Sequence, residues 1–327
     1  MVLNDIWFVA ITVLWVGYFV LEGFDFGVGM LLPVVGRNES ERGGMLETIG
    51  PVWDGNEVWL ITAGGATFAA FPEWYATLFS GFYVPLLLIL LALIVRGVAI
   101  EYRGRRDDDV WRRRWDIGIF VGSFVPAFLW GVAFGNIVRG VRLDARHEYV
   151  GTFWDLLNPY ALLGGLTTLA LFATHGAVFL ALKTTGDMSR RSSALVVPSG
   201  VIAAVLAVAF LAWTQFHGGD AATIVLAAIA AASFVAALVV AARGRQGWAF
   251  LLSAVAIGVA VLTLFAVLYP DVMPSSINPA YSLNIQNAAA TTTTLTIMTW
   301  IAVIFLPLVI LYQAWTYWVF RRRVHVE

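Results

Sequence analysis

The sequence predicts an all-α, polytopic membrane fold, and three observations carry that prediction. Hydrophobic residues make up 60% of the 327 residues and charged residues only 13%, against roughly 45–50% and about 25% in an ordinary soluble domain. The apolar residues gather into nine stretches, each near the roughly 20 residues that a helix needs to cross about 30 Å of hydrocarbon. The basic residues fall almost entirely on alternate sides of those stretches.

The nine stretches are 7–32, 52–72, 77–100, 115–138, 159–182, 194–216, 221–242, 248–269 and 292–319. The first lacks a basic start and carries Glu22 and Asp25 inside its apolar run, so it does not read as a cleaved signal peptide. The second opens Pro51-Val52-Trp53-Asp54-Gly55-Asn56-Glu57, too polar to face lipid. The third carries Arg96 near its end, and the arginine-rich segment 103–114 separates it from the fourth, which Asp116 opens. The fifth contains His175. The sixth, seventh and eighth are almost purely apolar, divided by the short breaks 217–220 and 243–247. A polar segment beginning Pro270-Asp271 precedes the ninth. No loop is long enough for a soluble domain, so residues 1–327 are expected to form one integral membrane domain.

Orientation follows from the basic residues. With the N-terminus outside, the segments 33–51, 101–114, 183–193, 243–247 and the C-terminal tail lie inside and hold sixteen Lys and Arg; the outside segments hold three, Arg139, Arg142 and Arg146. The alternation requires an odd number of spans and supports counting the second. The N-terminus is expected outside and the C-terminus in the cytoplasm.

Other function classes are disfavoured. A net charge of −1 offers no basic field for nucleic acid. The absence of cysteine excludes thiolate metal sites, iron–sulfur clusters and cysteine nucleophiles. No glycine-rich phosphate loop precedes a helix. The pairs Gly64-Gly65 and Gly164-Gly165 read as sites of close helix packing. The four histidines are isolated, and only His175 lies within a span, so neither haem ligands nor a metal site is expected here.

The intramembrane charges are the informative feature. Each costs about 2.5–3.5 kcal/mol at the centre of a helix on insertion scales, and such residues face protein or a water-filled cavity. Glu22 and Asp25 share a helix face at i, i+3, as do Asp54 and Glu57. Asp25 lies ~10 Å from the cytoplasmic end of its span, Asp54 and Glu57 open theirs, and Arg96 is one turn from the end of its own. Four acids against one base, all in the cytoplasmic half, cannot all be ionised at low cost. A row of carboxylates sharing protons is what a proton path needs, with Arg96 as charge partner. Trp53, Asn56 and Trp59 flank the acids and are candidates for contact with a partner or a substrate path.

At the second stretch, Trp53-Asp54-Gly55-Asn56-Glu57-Val58-Trp59-Leu60-Ile61-Thr62-Ala63-Gly64-Gly65 and Phe68-Ala69-Ala70-Phe71-Pro72 resemble subunit II of cytochrome bd-type quinol oxidases. The likeness continues through Gly23-Phe24-Asp25-Phe26-Gly27, Phe79-Ser80-Gly81-Phe82-Tyr83, Trp115-Asp116-Ile117-Gly118, Gly131-Val132-Ala133-Phe134-Gly135-Asn136, Leu156-Leu157-Asn158-Pro159, Val272-Met273-Pro274-Ser275-Ser276 and Leu295-Thr296-Ile297-Met298-Thr299-Trp300.

The resemblance implies nine helices as two four-helix bundles plus one peripheral helix, in a bacterial cytoplasmic membrane. It implies a respiratory terminal oxidase that oxidises quinol and reduces O₂ to water, electrogenic because the protons for water come from the cytoplasm. This chain would not be catalytic alone. It would form a heterodimer with subunit I, which carries the b-type and d-type haems, stabilise that partner and contribute a cytoplasmic proton route. Asp25 and Asp54 match acidic positions of the family's motifs; Glu22 and Glu57 join them by position. The resemblance also admits a structural quinone and a small single-helix accessory subunit, and the Ala-, Gly- and Val-rich, lysine-poor composition suggests a source in which menaquinol is the donor. Two other readings compete: a scaffold whose acids serve packing alone, and a proton-coupled secondary transporter. The transporter should carry a matching set of acids in spans six to eight, and none is present.

Overall fold

Helices dominate the computed structural model, which describes residues 2–325. In chain order they are α1 (Val2–Val35), α2 (Glu39–Ile49), α3 (Trp53–Ala70), α4 (Pro72–Gly81), α5 (Tyr83–Arg103), α6 (Asp109–Arg139), α7 (Pro159–Lys183), α8 (Gly186–Thr214), α9 (Ala221–Ala242), α10 (Gln246–Leu268) and α11 (Thr292–Val319). Two short strands, β1 (Asp271–Met273) and β2 (Leu283–Asn284), pair antiparallel between α10 and α11. Eight helices among the described residues, α1 and α5 to α11, are long and apolar enough to cross a membrane.

The expected second stretch, 52–72, falls on α3, which is not among those eight. Its two acids and its glycines lower its hydropathy. It nevertheless reaches both ends of the molecule: it starts directly after α2, and the carbonyl of Ala70 accepts a hydrogen bond from Ala290 in the loop before α11 (2.9 Å). Eighteen residues rise ~27 Å. Pro72 ends α3, because the residue before a proline is steered away from helical geometry; Phe71 takes φ −133°, ψ 69°.

The expected third span, 77–100, is corrected. Residues 77–81 belong to α4, and the chain breaks at Phe82 before α5 begins. Pro85 sits in the first turn of α5, where its missing N–H costs nothing. The inside segment 33–51 is also only partly a loop, since α2 occupies most of it. Asn38 caps α2 by accepting from the backbone N–H of Glu41 (2.8 Å), a side-chain cap of the usual kind. The remaining expected spans coincide with α1 and α6 to α11, with ends extended where helices continue past the apolar run.

Helix α1 is the hub, packing against α3, α6, α7 and α10. Its approach to α7 is backbone on backbone: a Cβ at Gly27 would lie 2.1 Å from the Phe172 carbonyl oxygen, and one at Gly176 2.4 Å from the Gly27 carbonyl carbon. Gly164 likewise meets the Gly131 carbonyl. Gly64 and Gly65, expected to pack closely, have nothing of this chain within 4 Å of a built Cβ. At the other extreme stands α11, whose only buried residue is Leu295.

The two ends are tied differently. At one, the loops 140–158 and 270–291 interlock through Val141 N–H to Pro274 O (3.0 Å) and Ser276 N–H to Val141 O (2.8 Å), burying Val272, Met273, Leu283 and Ile285. There the backbone N–H groups of Arg146 and Glu148 on Asp144, and of Thr152 on Asp155, hold both carboxyls below the usual carboxylate range. At the other end an ionic network joins α2, α5 and α6. Arg103 grips Glu39 with two bonds of 2.8 Å and Asp116 with one of 2.5 Å, and Arg42 reaches the other oxygen of Asp116 at 3.1 Å. Asp116, which opens the fourth stretch, is buried.

Removing one member of such a buried set leaves the rest uncompensated. Asp116→Ala is therefore expected to destabilise the protein by about 3 kcal/mol, seen as a lowered thermal midpoint in detergent. Gly27→Val should destabilise by a similar ~3 kcal/mol or more through overpacking, whereas Gly64→Ala should not destabilise.

Candidate functional site

Five polar side chains meet where α1, α3 and α5 come together. Glu22 and Asp25 project from one face of α1, Asn56 and Glu57 from the first turns of α3, and Arg96 from α5. Glu22, Asp25, Asn56 and Arg96 are fully buried, at 0% exposure; the Glu57 side chain keeps 22%. Arg96 Nη1 donates to Glu22 and also to Glu57 Oε1 at 3.1 Å, bridging α1 and α3. The Arg96 guanidinium lies 4.8 Å over the ring of Phe26, adding a cation–π contact.

Asp25 makes no ion pair within 4 Å among the described residues. Its Oδ2 accepts from Asn56 Nδ2 at 2.6 Å, and its Oδ1 is buried without a hydrogen-bond partner in this chain. The same holds for Glu22 Oε2 and for Arg96 Nε and Nη2. The cluster thus retains donor and acceptor capacity in a place where an unmet polar atom is costly.

Asp54 is not brought into this group. It is exposed, and its carboxylate accepts from the backbone N–H of Gly55 at 2.7 Å, as suits an acid in the first turn of a helix. Trp53 packs beside Gly97, where a Cβ would lie 3.3 Å from its ring, and the ring of Trp59 fills the space left by Gly17. Both tryptophans are therefore held in this chain's own packing.

Two residues at the site escaped the sequence reading. Tyr317 donates its hydroxyl to Asn56 Oδ1 at 2.8 Å, and Gln313 Nε2 donates to the same oxygen at 3.1 Å. Trp59 Nε1 donates to Gln313 Oε1 at 3.4 Å. The available signal was their i, i+4 spacing, which sets two polar groups on one face of an otherwise apolar helix.

The histidines fall in four separate places. His175 is fully buried between α1, α7 and α10. Its Nδ1 bonds to Ser253 Oγ at 2.8 Å, and its ring stacks on Phe250 at 4.7 Å with Phe24 at 6.0 Å.

Two apolar recesses, neither lined by a residue of the cluster, open between the helices. One, of about 490 Å³, is lined by Trp15, Gly64, Phe68, Trp74, Leu90 and Trp130. Trp74 is 2% exposed, and its indole N–H has no partner in this chain. The other, of about 720 Å³, is a groove between α1 and α10.

Arg96 is expected to be indispensable to this arrangement. Arg96→Met leaves Glu22 buried without a counter-charge and should destabilise by about 3–5 kcal/mol, while the Glu22→Gln/Arg96→Met pair, which removes both charges, should recover most of that loss. Thermal denaturation of the four members of the cycle measures both effects.

The family model described as cytochrome bd terminal oxidase subunit II matches residues 3–320. The chain is 43% identical over 327 residues to the cytochrome bd ubiquinol oxidase subunit 2 of Bacillus subtilis, covering 98% of this chain and 97% of that one. It is 38% identical to the cytochrome bd-I ubiquinol oxidase subunit 2 of Escherichia coli K12, covering 100% and 96%. A chain in the structure of the bd oxidase from Geobacillus thermodenitrificans superposes with a TM-score of 0.80 over 98% of this chain and 99% of that one at 18% identity, a likeness of fold. With the family model spanning almost the whole chain and relatives similar end to end, the chain belongs to the cytochrome bd terminal oxidase subunit II family.

Proposed function

We propose that this chain is the haem-free half of a respiratory quinol:O₂ oxidoreductase and that its buried carboxylates carry protons from the cytoplasm toward the oxygen-reducing partner. The observation that carries the reading is the graded exposure of the acids. Asp54 is exposed, Glu57 partly so, and Glu22 and Asp25 fully buried. Such a series leads from water inward, and the unpartnered oxygens of Glu22 and Asp25 leave each a site for a proton. Waters bridging these groups would be of the kind that buried polar clusters commonly hold.

Nine crossings, arranged as two four-helix bundles with α11 peripheral, fit this role, with α3 the ninth and residues 1–327 acting as one membrane unit. The N-terminus lies outside and the C-terminus in the cytoplasm, supported by sixteen basic residues on one side and three on the other. The acid cluster then opens to the cytoplasm, where the protons for water are drawn.

The b-type and d-type haems belong to the partner subunit, and electrons do not pass through this chain. The partner docks in the bilayer against the exposed apolar faces, α11 among them, and is stabilised by that contact. A structural quinone fits the recess of about 490 Å³: the walls are apolar, and the Trp74 indole N–H is a donor for a ring carbonyl. A second reading, that the acids only support packing, is favoured by one observation, the Arg96 bridge between Glu22 and Glu57.

Asp25→Asn separates the two. The proton reading expects O₂ consumption per haem to fall on the order of 10²-fold with haem content intact; the packing reading expects haem content and thermal stability to fall while turnover per assembled complex is kept. Orientation has its own test, made clean by the absence of cysteine. A membrane-impermeant thiol reagent is expected to label Arg146→Cys on intact cells and Arg113→Cys only after the membrane is opened.

A further inference from the structure

Helix α11 is the most weakly seated of the long helices, with Leu295 its only buried residue. Among the described residues, its side chains and backbone bond to other helices at two places. Near its start, the Trp7 indole N–H meets Leu295 O and Thr299 Oγ1. Near its end, Gln313 and Tyr317 reach Asn56 and Trp59. The second attachment is made to the one residue that hydrogen-bonds Asp25.

The bond directions are fixed. A carboxamide oxygen only accepts, and its NH₂ only donates. Two donors converge on Asn56 Oδ1, from Tyr317 and Gln313, so the Asn56 NH₂ must point the other way, to Asp25 Oδ2. The Gln313 amide is oriented in turn by the Trp59 indole N–H on its oxygen. The chain of donors runs Trp59, Gln313, Asn56, Asp25, with the Tyr317 hydroxyl entering at Asn56. Were Asn56 to flip, its oxygen would face a carboxyl oxygen. Asp25 could then meet it only by holding its own proton in that bond, and a proton so held is not passed on.

We propose that Tyr317 and Gln313 are positioning residues for Asp25: from α11 they lock the Asn56 amide with its NH₂ toward Asp25, which engages one carboxyl oxygen and leaves the other open for proton exchange. The proposal rests on the reading of Asp25 as a proton carrier. It also gives α11 a second role besides its lipid- or partner-facing surface, because a displacement of its C-terminal half withdraws both donors from Asn56 together.

The test uses the assembled oxidase complex in native membranes, with O₂ consumption normalised to haem. Tyr317→Phe removes one hydroxyl, and Gln313→Met keeps the side-chain length without its polar groups. The double variant is expected to retain haem content and to lose about tenfold in turnover, as expected when a reacting group is misplaced. In an Asp25→Asn background the same two substitutions should change turnover by less than about twofold, because residues that act through one group are non-additive. Three results overturn the proposal. Wild-type turnover in the double variant beside a slow Asp25→Asn shows that the lock is not needed while the proton reading stands. A full further loss in the Asp25→Asn background shows that the pair acts elsewhere. Wild-type turnover in Asp25→Asn itself removes the proton reading, and the positioning role with it.

Discussion

The arrangement of α1, α3 and α5 depends on one guanidinium. Arg96 is fully buried and must find anions, and it finds Glu22 on α1 and Glu57 on α3. A buried cation of this kind confers little net stability over an apolar replacement, but losing one partner leaves a charge stranded. The bridge therefore acts mainly as a register constraint. Sliding α5 by a turn, about 5.4 Å, would carry Arg96 out of reach of both acids. Elements at either side agree with that register. The Arg103–Asp116–Arg42 network fixes α5 and α6 to α2, and Gly27 against Gly176 fixes the depth of α1 on α7.

Much of this was legible in the chain because hydropathy and charge depth are local properties. The long apolar helices sit where the sequence placed them, and Glu22, Glu57 and Arg96 meet at the level that their positions along α1, α3 and α5 implied. What was not legible depends on partners distant in sequence. The polarity of α3 conceals a helix that reaches from α2 to the loop before α11, because Glu57 is met by Arg96 on α5 while Gly64 and Gly65 meet nothing of this chain. The break at Phe82 was masked by the continuous apolarity of 77–100, although Pro85 marked it. Asp54 shares a helix face with Glu57 in the sequence reading, yet its carboxylate accepts from the adjacent Gly55 N–H and stays exposed. Gln313 and Tyr317 belong to a helix 257 and 261 residues from Asn56, and only the fold joins them.

The acids differ in how they are held, and the difference bears on which of them suits proton transfer. Glu22 and Glu57 are both paired with Arg96, so each has a structural use as its counter-ion besides the proposed proton role. Asp25 is not so paired. It is as deeply buried as Glu22, yet its contacts are a single neutral donor and one open oxygen. A carboxyl kept in an apolar interior without a cation in contact with it is a poor choice for stability alone, since an apolar residue of its size would pack without the desolvation cost. Holding such a group there makes physical sense if its two protonation states are both used. Pairing with Arg96 gives Glu22 and Glu57 a structural reason to be buried; it gives none to Asp25, and that asymmetry inside one cluster makes Asp25 the best supported of the proposed proton carriers.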